Sequence, residues 1–379
     1  MSLFYLIGVR TITLRSYRNC IRKSIKLGES LNSTNLLVIN YAMDEKHQVF
    51  SHQIDLVNKL ANHFDSVTVL TGHVGVCRVS DNVRVVNFKW IAGKRVSSLL
   101  RFLRIFLKTV INNRYSVLFS HMTSTHSAFI SPITKLLRLK HYLWYAHASN
   151  GVYLRVSKLL TNGIITSTPG SCPLDGEKIY SIGQAIDKNK FEKQQQAHYP
   201  IKNLIHAGRL DPSKNVDLII EGVESLRKNH SELTLEIVGS PSSDLYKQYS
   251  QDLISKFSLA PYSSWLKFTP YIPREDLPKI LRGKDGFIHR FQGSLDKTLV
   301  EATFFGLPVV TINREYLNIF GSWGSGHTYD DLTLENEALA LFKMSEDDIK
   351  REVDRRYALA VSQHEVTGWV DRLVKILKS

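Results

Sequence analysis

Short apolar runs rich in β-branched residues, each followed by a longer segment with apolar positions three and four apart, set the rhythm of this chain from Asn35 onward. The spacing predicts strands over Leu36–Asn40, Val67–Leu70, Val83–Val86, Val117–Ser120, Tyr142–Tyr145, Gly163–Thr166 and Ile179–Ile182. A second series follows at Leu204–Ala207, Leu233–Val238, Leu266–Thr269, Gly286–His289 and Val309–Ile312. Runs this short and this apolar suit strands covered on both faces. Alternating strands and helices imply right-handed βαβ units, and so many strands would make a large sheet for one domain. The expectation is an α/β chain with two doubly wound domains joined in the polar stretch Gly183–Tyr199.

Composition agrees with two cores: 379 residues, 43% hydrophobic and 22% charged, is globular and long enough for two domains. Cys20, Cys77 and Cys172 lie far apart without a C-x-x-C pair, which argues for a reducing compartment and against a zinc site or disulfide framework. The formal charge of +14 points to an anionic partner, and nucleic acid, acidic phospholipid and phosphorylated metabolites all qualify.

Two basic segments sharpen that charge. Residues 1–33 form a basic extension in which an apolar start, Leu3–Val9, precedes Arg10, Arg15, Arg18, Arg22, Lys23 and Lys26. Its order is reversed relative to a secretory signal and it is too short in apolar residues to span a bilayer. An interfacial tail and a disordered extension both fit. In Val96–Asn113, Arg101, Arg104 and Lys108 share a helix face, and Leu99, Leu100, Leu103, Phe106 and Leu107, with Phe102 beside them, form a broad apolar remainder. That pattern suits either a helix lying on an anionic membrane surface or a core helix with a solvated basic stripe.

The chemistry gathers in the second half. Asn203–Asp217, NLIHAGRLDPSKNVD, places Arg209 and Lys214 between the end of a strand and the start of a helix. There two cations and the helix dipole can bind a diphosphate. Ile288–Ile312, IHRFQGSLDKTLVEATFFGLPVVTI, repeats the strand–loop–helix arrangement. Ser294 is expected to cap this helix, Asp296 and Lys297 to lie in its first turn, and Lys297 and Glu301 to share a face. Gly306 and Pro308 end it.

The loops GRLDPSKNVD and GSLDKTLVEATFFGLPVV together resemble those of the retaining, metal-independent glycosyltransferases of family 4. The resemblance implies the GT-B architecture, two facing Rossmann-like domains with a cleft between them, covering residues 34–186 and 187–360. A C-terminal helix, 361–379, would pack back on the first domain. It also implies that Arg209 and Lys214 neutralise a leaving nucleoside diphosphate and that Glu301 holds the ribose hydroxyls. Many members carry another glutamate eight residues earlier, where this chain has Gly293. With the GSLDK form of the loop, Ser294, Leu295, Asp296, Lys297 and Thr298 would take over at the donor, with Asp296 either bonding sugar hydroxyls or orienting Lys297. His147, just after a strand, is similar to the family's active-site histidine, with His121 and His52 as weaker candidates. Tyr271 and Ile272 would contact the base.

The resulting expectation is a hexose-type transfer from a UDP- or GDP-linked sugar to a hydroxyl of a glycan, lipid-linked in bacterial surface polysaccharide synthesis. No cofactor, no metal and no nucleic-acid partner are expected. The location would be cytoplasmic, with peripheral contact at the inner face of the membrane. Two other classes stay open. A nucleotide-sugar epimerase shares the architecture and needs no acceptor, and a non-catalytic anion or nucleic-acid binder would also explain the charge.

Overall fold

The computed structural model describes residues 33–47, 49–194, 199–324 and 332–379. Apart from Ser33, the basic extension lies outside the described residues. The chain folds into two compact units, each built on a parallel sheet. Unit one comprises the chain through Thr166, Pro173–Ser181 and Val370–Ser379; unit two comprises Ser167–Cys172 and Ile182–Trp369. The division therefore falls at Ile182, with a short excursion at 167–172; the expected domains ran 34–186 and 187–360, with 361–379 returning to the first.

Unit one holds seven strands in the order β3-β2-β1-β4-β5-β6-β7. They are β1 (Asn35–Met43), β2 (Ser66–Val74), β3 (Val83–Asn87), β4 (Val117–His121), β5 (Lys140–Trp144), β6 (Gly163–Thr166) and β7 (Ile179–Ser181). Leu36 of β1 stands beside Val67 on one side and Val117 on the other, so β1 and β4 flank the point where strand order reverses. Helices α1 (His52–Ala61), α2 (Arg95–Asn112), α3 (Ser124–Leu136) and α4 (Val152–Leu160) connect the strands.

Of the two readings of the basic helix, α2 follows core packing along most of its length. Phe102, Phe106, Leu107 and Val110 are buried against Leu37, Ile39 and Leu70 of the sheet. Arg101 donates to the Lys89 carbonyl at 2.7 Å. Val96 and Leu100 stay outside, 74% and 48% exposed.

Unit two carries five strands in the order β10-β9-β8-β11-β12: β8 (Asn203–Ala207), β9 (Thr234–Val238), β10 (Leu266–Thr269), β11 (Gly286–His289) and β12 (Val309–Thr311). The pleat sends alternate residues to opposite sides, and each side has its own core. Leu204, Leu235, Ile237 and Ile288 pack with α5 (Val216–Arg227) on one side. Ile205, Val238, Phe287 and Val309 pack on the other against α8 (Lys297–Phe305) and α9 (Arg314–Phe320). Two-sided burial is why these strands read as continuous apolar runs. The remaining helices are α6 (Lys247–Phe257), α7 (Leu277–Leu281), α10 (Leu334–Phe342), α11 (Glu346–His364) and α12 (Val366–Lys378).

The helix expected from Val361 is in fact two. Glu365 is extended and its carboxylate caps α12, accepting from the N–H of Thr367 at 2.8 Å and of Gly368 at 3.2 Å. Ile186 fills the break, exchanging backbone hydrogen bonds with His364 and Val366. The far end of α12 belongs to unit one, where Lys378 lies 5.2 Å from the Phe64 ring centroid.

Buried neutral histidines make this fold acid-sensitive. Burial pulls His141 and His206 down to about 3 and His126 down to about 4. His126 sits in an aromatic box, with ring centroids 4.6 Å from Phe102, 5.0 Å from Trp90 and 5.3 Å from Phe88. Neither of its ring nitrogens has a hydrogen-bond partner. Because the folded pKa values lie below the unfolded value, this contribution is intact above about pH 6.5 and is lost as pH falls toward 4, about 1.4 kcal/mol per unit per histidine. Urea titrations at pH 7, 6 and 5 should show stability falling, and His126→Phe should flatten the pH 6 to 5 limb by about one such increment. An unchanged limb would show that His126 is not buried neutral.

Candidate functional site

In unit two the strand order reverses between β8 and β11, and the loops after these two strands hold the residues that the sequence singled out. The β8 loop is fixed by backbone. Gly208 N–H donates to Val238 O at 3.0 Å and Leu210 N–H to Ser240 O at 3.0 Å. A Cβ at Gly239 would stand 1.8 Å from the Gly208 carbonyl oxygen, so the two loop backbones touch through a glycine. Arg209 then points outward, 48% exposed, with Nη1 3.3 Å from the buried carboxylate of Asp211. A turn over Pro212–Lys214 follows, and Asn215 takes the left-handed conformation at φ 51°, ψ 45°, which its short side chain tolerates. That reversal turns Lys214 inward, where it is buried.

The β11 loop is held from below by Asn313, the N-cap of α9. Its Oδ1 accepts from Tyr316 N–H at 2.9 Å while its Nδ2 donates to the carbonyl of Phe291 at 2.8 Å, with the Ser294 carbonyl at 3.3 Å. Leu295 is tied at both ends. Its N–H donates to Ser171 Oγ at 2.9 Å and its carbonyl accepts from Gln184 Nε2 at 2.9 Å. The cap of α8 is Asp296 rather than Ser294: Asp296 is extended and accepts from Thr298 N–H and Oγ1, each at 3.3 Å. Ser294 is buried two residues too early to reach the first turn. The Leu295 and Thr298 amides are thus engaged within unit two.

Asp296 joins the two loops. Its second oxygen forms an ion pair with Lys214 and accepts from His289 Nε2 at 3.2 Å. Burial would raise the Asp296 pKa, but the Lys214 ammonium and the His289 hydrogen bond outweigh it and hold the carboxyl well below its ordinary range. Burial lowers His289, against the opposing pull of Asp296, so it donates as a neutral imidazole. Lys214 Nζ also lies 4.0 Å from the centroid of the Phe291 ring. That ring occupies the space beside Gly293, where a Cβ would come within 2.1 Å of it. A side chain at position 293 and the present seat of Phe291 over Lys214 exclude each other.

Glu301, expected on a face with Lys297, is 1% exposed on α8 and forms an ion pair with Arg274. Arg274 follows the segment Pro270–Pro273, in which Tyr271 is exposed and Ile272 packs against the α8 core. Lys297 and Thr298 occupy the first turn of α8. His147 belongs to unit one, exposed after β5, and its Nδ1 accepts from Ser149 N–H at 3.1 Å. His52 and His121 lie in the same unit, with Gln53 Nε2 2.8 Å from His121 Nδ1. The structure thus brings Lys214 and Asp296 into contact and places Arg209, Glu301 and Tyr271 in the same unit. Sequence reasoning missed His289, Asn313 and Arg274: His289 and Arg274 act through tertiary pairings with no local sign, and Asn313, legible as a helix cap, reaches the site through its Nδ2 bonds to the β11 loop. Among the described residues, no group of three or more His, Cys, Asp or Glu is placed to hold a metal ion.

This fold is the GT-B architecture of glycosyltransferases, two Rossmann-like α/β units on parallel sheets. Residues 187–358 match the family model described as glycosyl transferases group 1. YtcC, a Bacillus subtilis (strain 168) protein assigned as a glycosyltransferase, is 32% identical over 117 residues, 30% of this chain. The chain spans 28% of that relative's length in the match. HepE of Anabaena, crystallised with UDP and glucose, superposes with a TM-score of 0.68 at 14% identity, covering 91% of this chain and 99% of HepE. The lipopolysaccharide outer core galactosyltransferase WaaB superposes at 0.63 and 9% identity, covering 91% and 100%.

The buried Lys214–Asp296 pair predicts asymmetric mutant energetics. Asp296→Asn strands a buried ammonium and should destabilise unit two by about 3–5 kcal/mol, whereas Lys214→Met with Asp296→Leu should recover most of that loss. Urea unfolding of the three proteins measures it. Equal stability of the single and double variants would show the pair to be solvent-screened.

Proposed function

We propose that this protein is a retaining, metal-independent glycosyltransferase that moves a hexose-type sugar from a nucleotide sugar to a hydroxyl of a glycan. The observation that carries the reading is the pairing of two loops at one strand-order reversal: Lys214 buried, Arg209 exposed, and the carboxylate of Glu301 on the adjoining helix. The match of residues 187–358 to glycosyl transferases group 1 covers these residues. UDP is the first nucleotide to test, since HepE, of the same fold, binds UDP and glucose.

Bond cleavage at the anomeric carbon leaves negative charge on the diphosphate. Arg209 can grip two phosphate oxygens, while Lys214 acts as a fixed point charge from beneath. Because Asp296 holds Lys214 in place, the cation needs little reorganisation when that charge develops. The leaving phosphate oxygen takes the acceptor proton, so no protein nucleophile is required. Glu301 accepts the ribose hydroxyls, Tyr271 and Ile272 flank the base, and His147 contacts the donor sugar. Ser294 to Thr298 complete the donor loop.

The acceptor is a lipid-linked glycan of bacterial surface polysaccharide synthesis, handled at the cytoplasmic face of the membrane. Support for membrane contact is the +14 charge together with Val96 and Leu100 exposed on α2. No helix among the described residues is long and apolar enough to cross a membrane.

A thermal-shift panel of UDP, GDP, ADP and their sugars tests the donor. A ligand at about a hundred times its Kd adds about 2.7 kcal/mol to folding stability. With the active donor, Arg209→Ala should lower kcat about a hundredfold, with EDTA leaving the wild-type rate unchanged and the product keeping the donor's anomeric configuration by NMR. Isomerised sugar released without an acceptor would identify an epimerase, and a normal rate for Arg209→Ala would remove the electrostatic account.

A further inference from the structure

Glu301 presents a problem that its proposed role creates. A carboxylate kept to receive two ribose hydroxyls is, in the empty site, a nearly buried charge waiting for a ligand. Burying it alone would be costly. Arg274 meets it instead: the guanidinium and the Glu301 carboxylate form an ion pair, the acid 2% and the base 32% exposed. Glu301 is therefore closed off, while the Arg274 side chain is partly exposed with its pairing Nη2 buried.

The placement of Arg274 makes an exchange feasible without backbone movement. It begins the short turn Arg274–Asp276 ahead of α7, directly after Pro273. Pro270 and Pro273 bracket the loop and Ile272 anchors it in the core under α8. A long side chain on a fixed turn can swing while its backbone stays put. Its other charged and titratable neighbours are Asp296 and Tyr271, and Glu275 acts in turn on Tyr271. Asp296 raises the Arg274 pKa, which places the guanidinium within electrostatic reach of the carboxylate that binds Lys214, although burial leaves it at about 10 and still protonated at neutral pH. Arg274 thus pairs with the carboxylate assigned to ribose and also feels the charge of Asp296, the partner of Lys214.

We infer that Arg274 is a positioning residue that occupies the Glu301 carboxylate while the site is empty and passes to the diphosphate when a nucleotide enters, leaving the carboxylate to the ribose hydroxyls. This rests on the nucleotide-site reading of unit two. The exchange couples the two halves of the ligand. A nucleoside has to displace Arg274 without offering it a new partner, whereas a nucleoside diphosphate supplies the replacement anion. The site accordingly discriminates against nucleosides by making them break an ion pair.

The test compares uridine with UDP by ligand titration followed by NMR, on wild type, Arg274→Gln, Arg274→Lys, Glu301→Gln and the double variant Arg274→Gln/Glu301→Gln. If wild type prefers GDP, guanosine and GDP replace them. In Arg274→Gln the ratio Kd(nucleoside)/Kd(diphosphate) should fall about tenfold or more, through tighter nucleoside binding and weaker diphosphate binding. Arg274→Lys should restore part of the ratio. In the Glu301→Gln background, Arg274→Gln should weaken the diphosphate and leave the nucleoside unchanged. An unchanged ratio, or parallel loss for both ligands in a folded Arg274→Gln protein, overturns the exchange and makes Arg274 a structural counter-ion. A wild-type protein that binds none of these nucleotides or their sugars overturns the nucleotide reading itself, and the exchange with it.

Discussion

The ion pair between Lys214 and Asp296 is the constraint on which the rest of the site depends. Its two members come from loops 82 residues apart in sequence, one after β8 and one after β11. Each loop reaches the pair through an unusual local feature: the left-handed Asn215 turns Lys214 inward, and extended Asp296 caps α8 while facing back toward it. Neither ion would be stable there alone, so folding of the two loops is coupled. Asn313 and the contact between Gly208 and Gly239 then fix the loops against the sheet.

This coupling separates the cations by task. Lys214 is bound, buried and already compensated, so its charge is a fixed part of the site's field. Arg209 is half in solvent, leaning on Asp211, and is free to follow an anion. Arg274 forms a third case, compensated by the carboxylate assigned to ribose. A site built entirely from exposed cations would lose more side-chain freedom on binding a diphosphate. One built entirely from buried ones would have to desolvate them unpaired. The observed mixture lies between these limits.

The twelve strands among the described residues, and with them the α/β class, were legible because the inner strands are buried on both faces and so appear as apolar runs, while the edge strands β3 and β7 keep enough β-branched and aromatic residues to be read. Arg209, Lys214 and Glu301 were legible as residue types at a strand–helix junction. What the pattern assigned wrongly was local in appearance and tertiary in cause. Ser294 has cap chemistry, yet Asn313 and Ser171 hold the loop so that the helix starts later, at Lys297. Glu301 and Lys297 share a face by spacing, whereas the ion pair of Glu301 with Arg274 comes from another loop and has no local sign. The C-terminal helical pattern runs through Glu365 unbroken, because its interruption is made by Ile186 from far upstream. In α2 the apolar and basic faces suit a membrane surface and a core equally well, and it takes the tertiary structure to show that Phe102 and Phe106 belong to the core with Leu37 and Leu70.

Gly293 shows how the two levels meet. By resemblance, the position belongs to a glutamate at the donor sugar, and its loss looks like a missing function. In the structure the ring of Phe291 takes that space and lies over Lys214, with its edge toward His289. Three residues later Asp296 carries a carboxylate, bonded to Lys214 and His289. On the proposed reading of this loop as a donor site, a carboxylate buried as a helix cap holds Lys214 but is not open to a sugar, so position 293 would bear on donor choice more than on the charge offered to a leaving diphosphate.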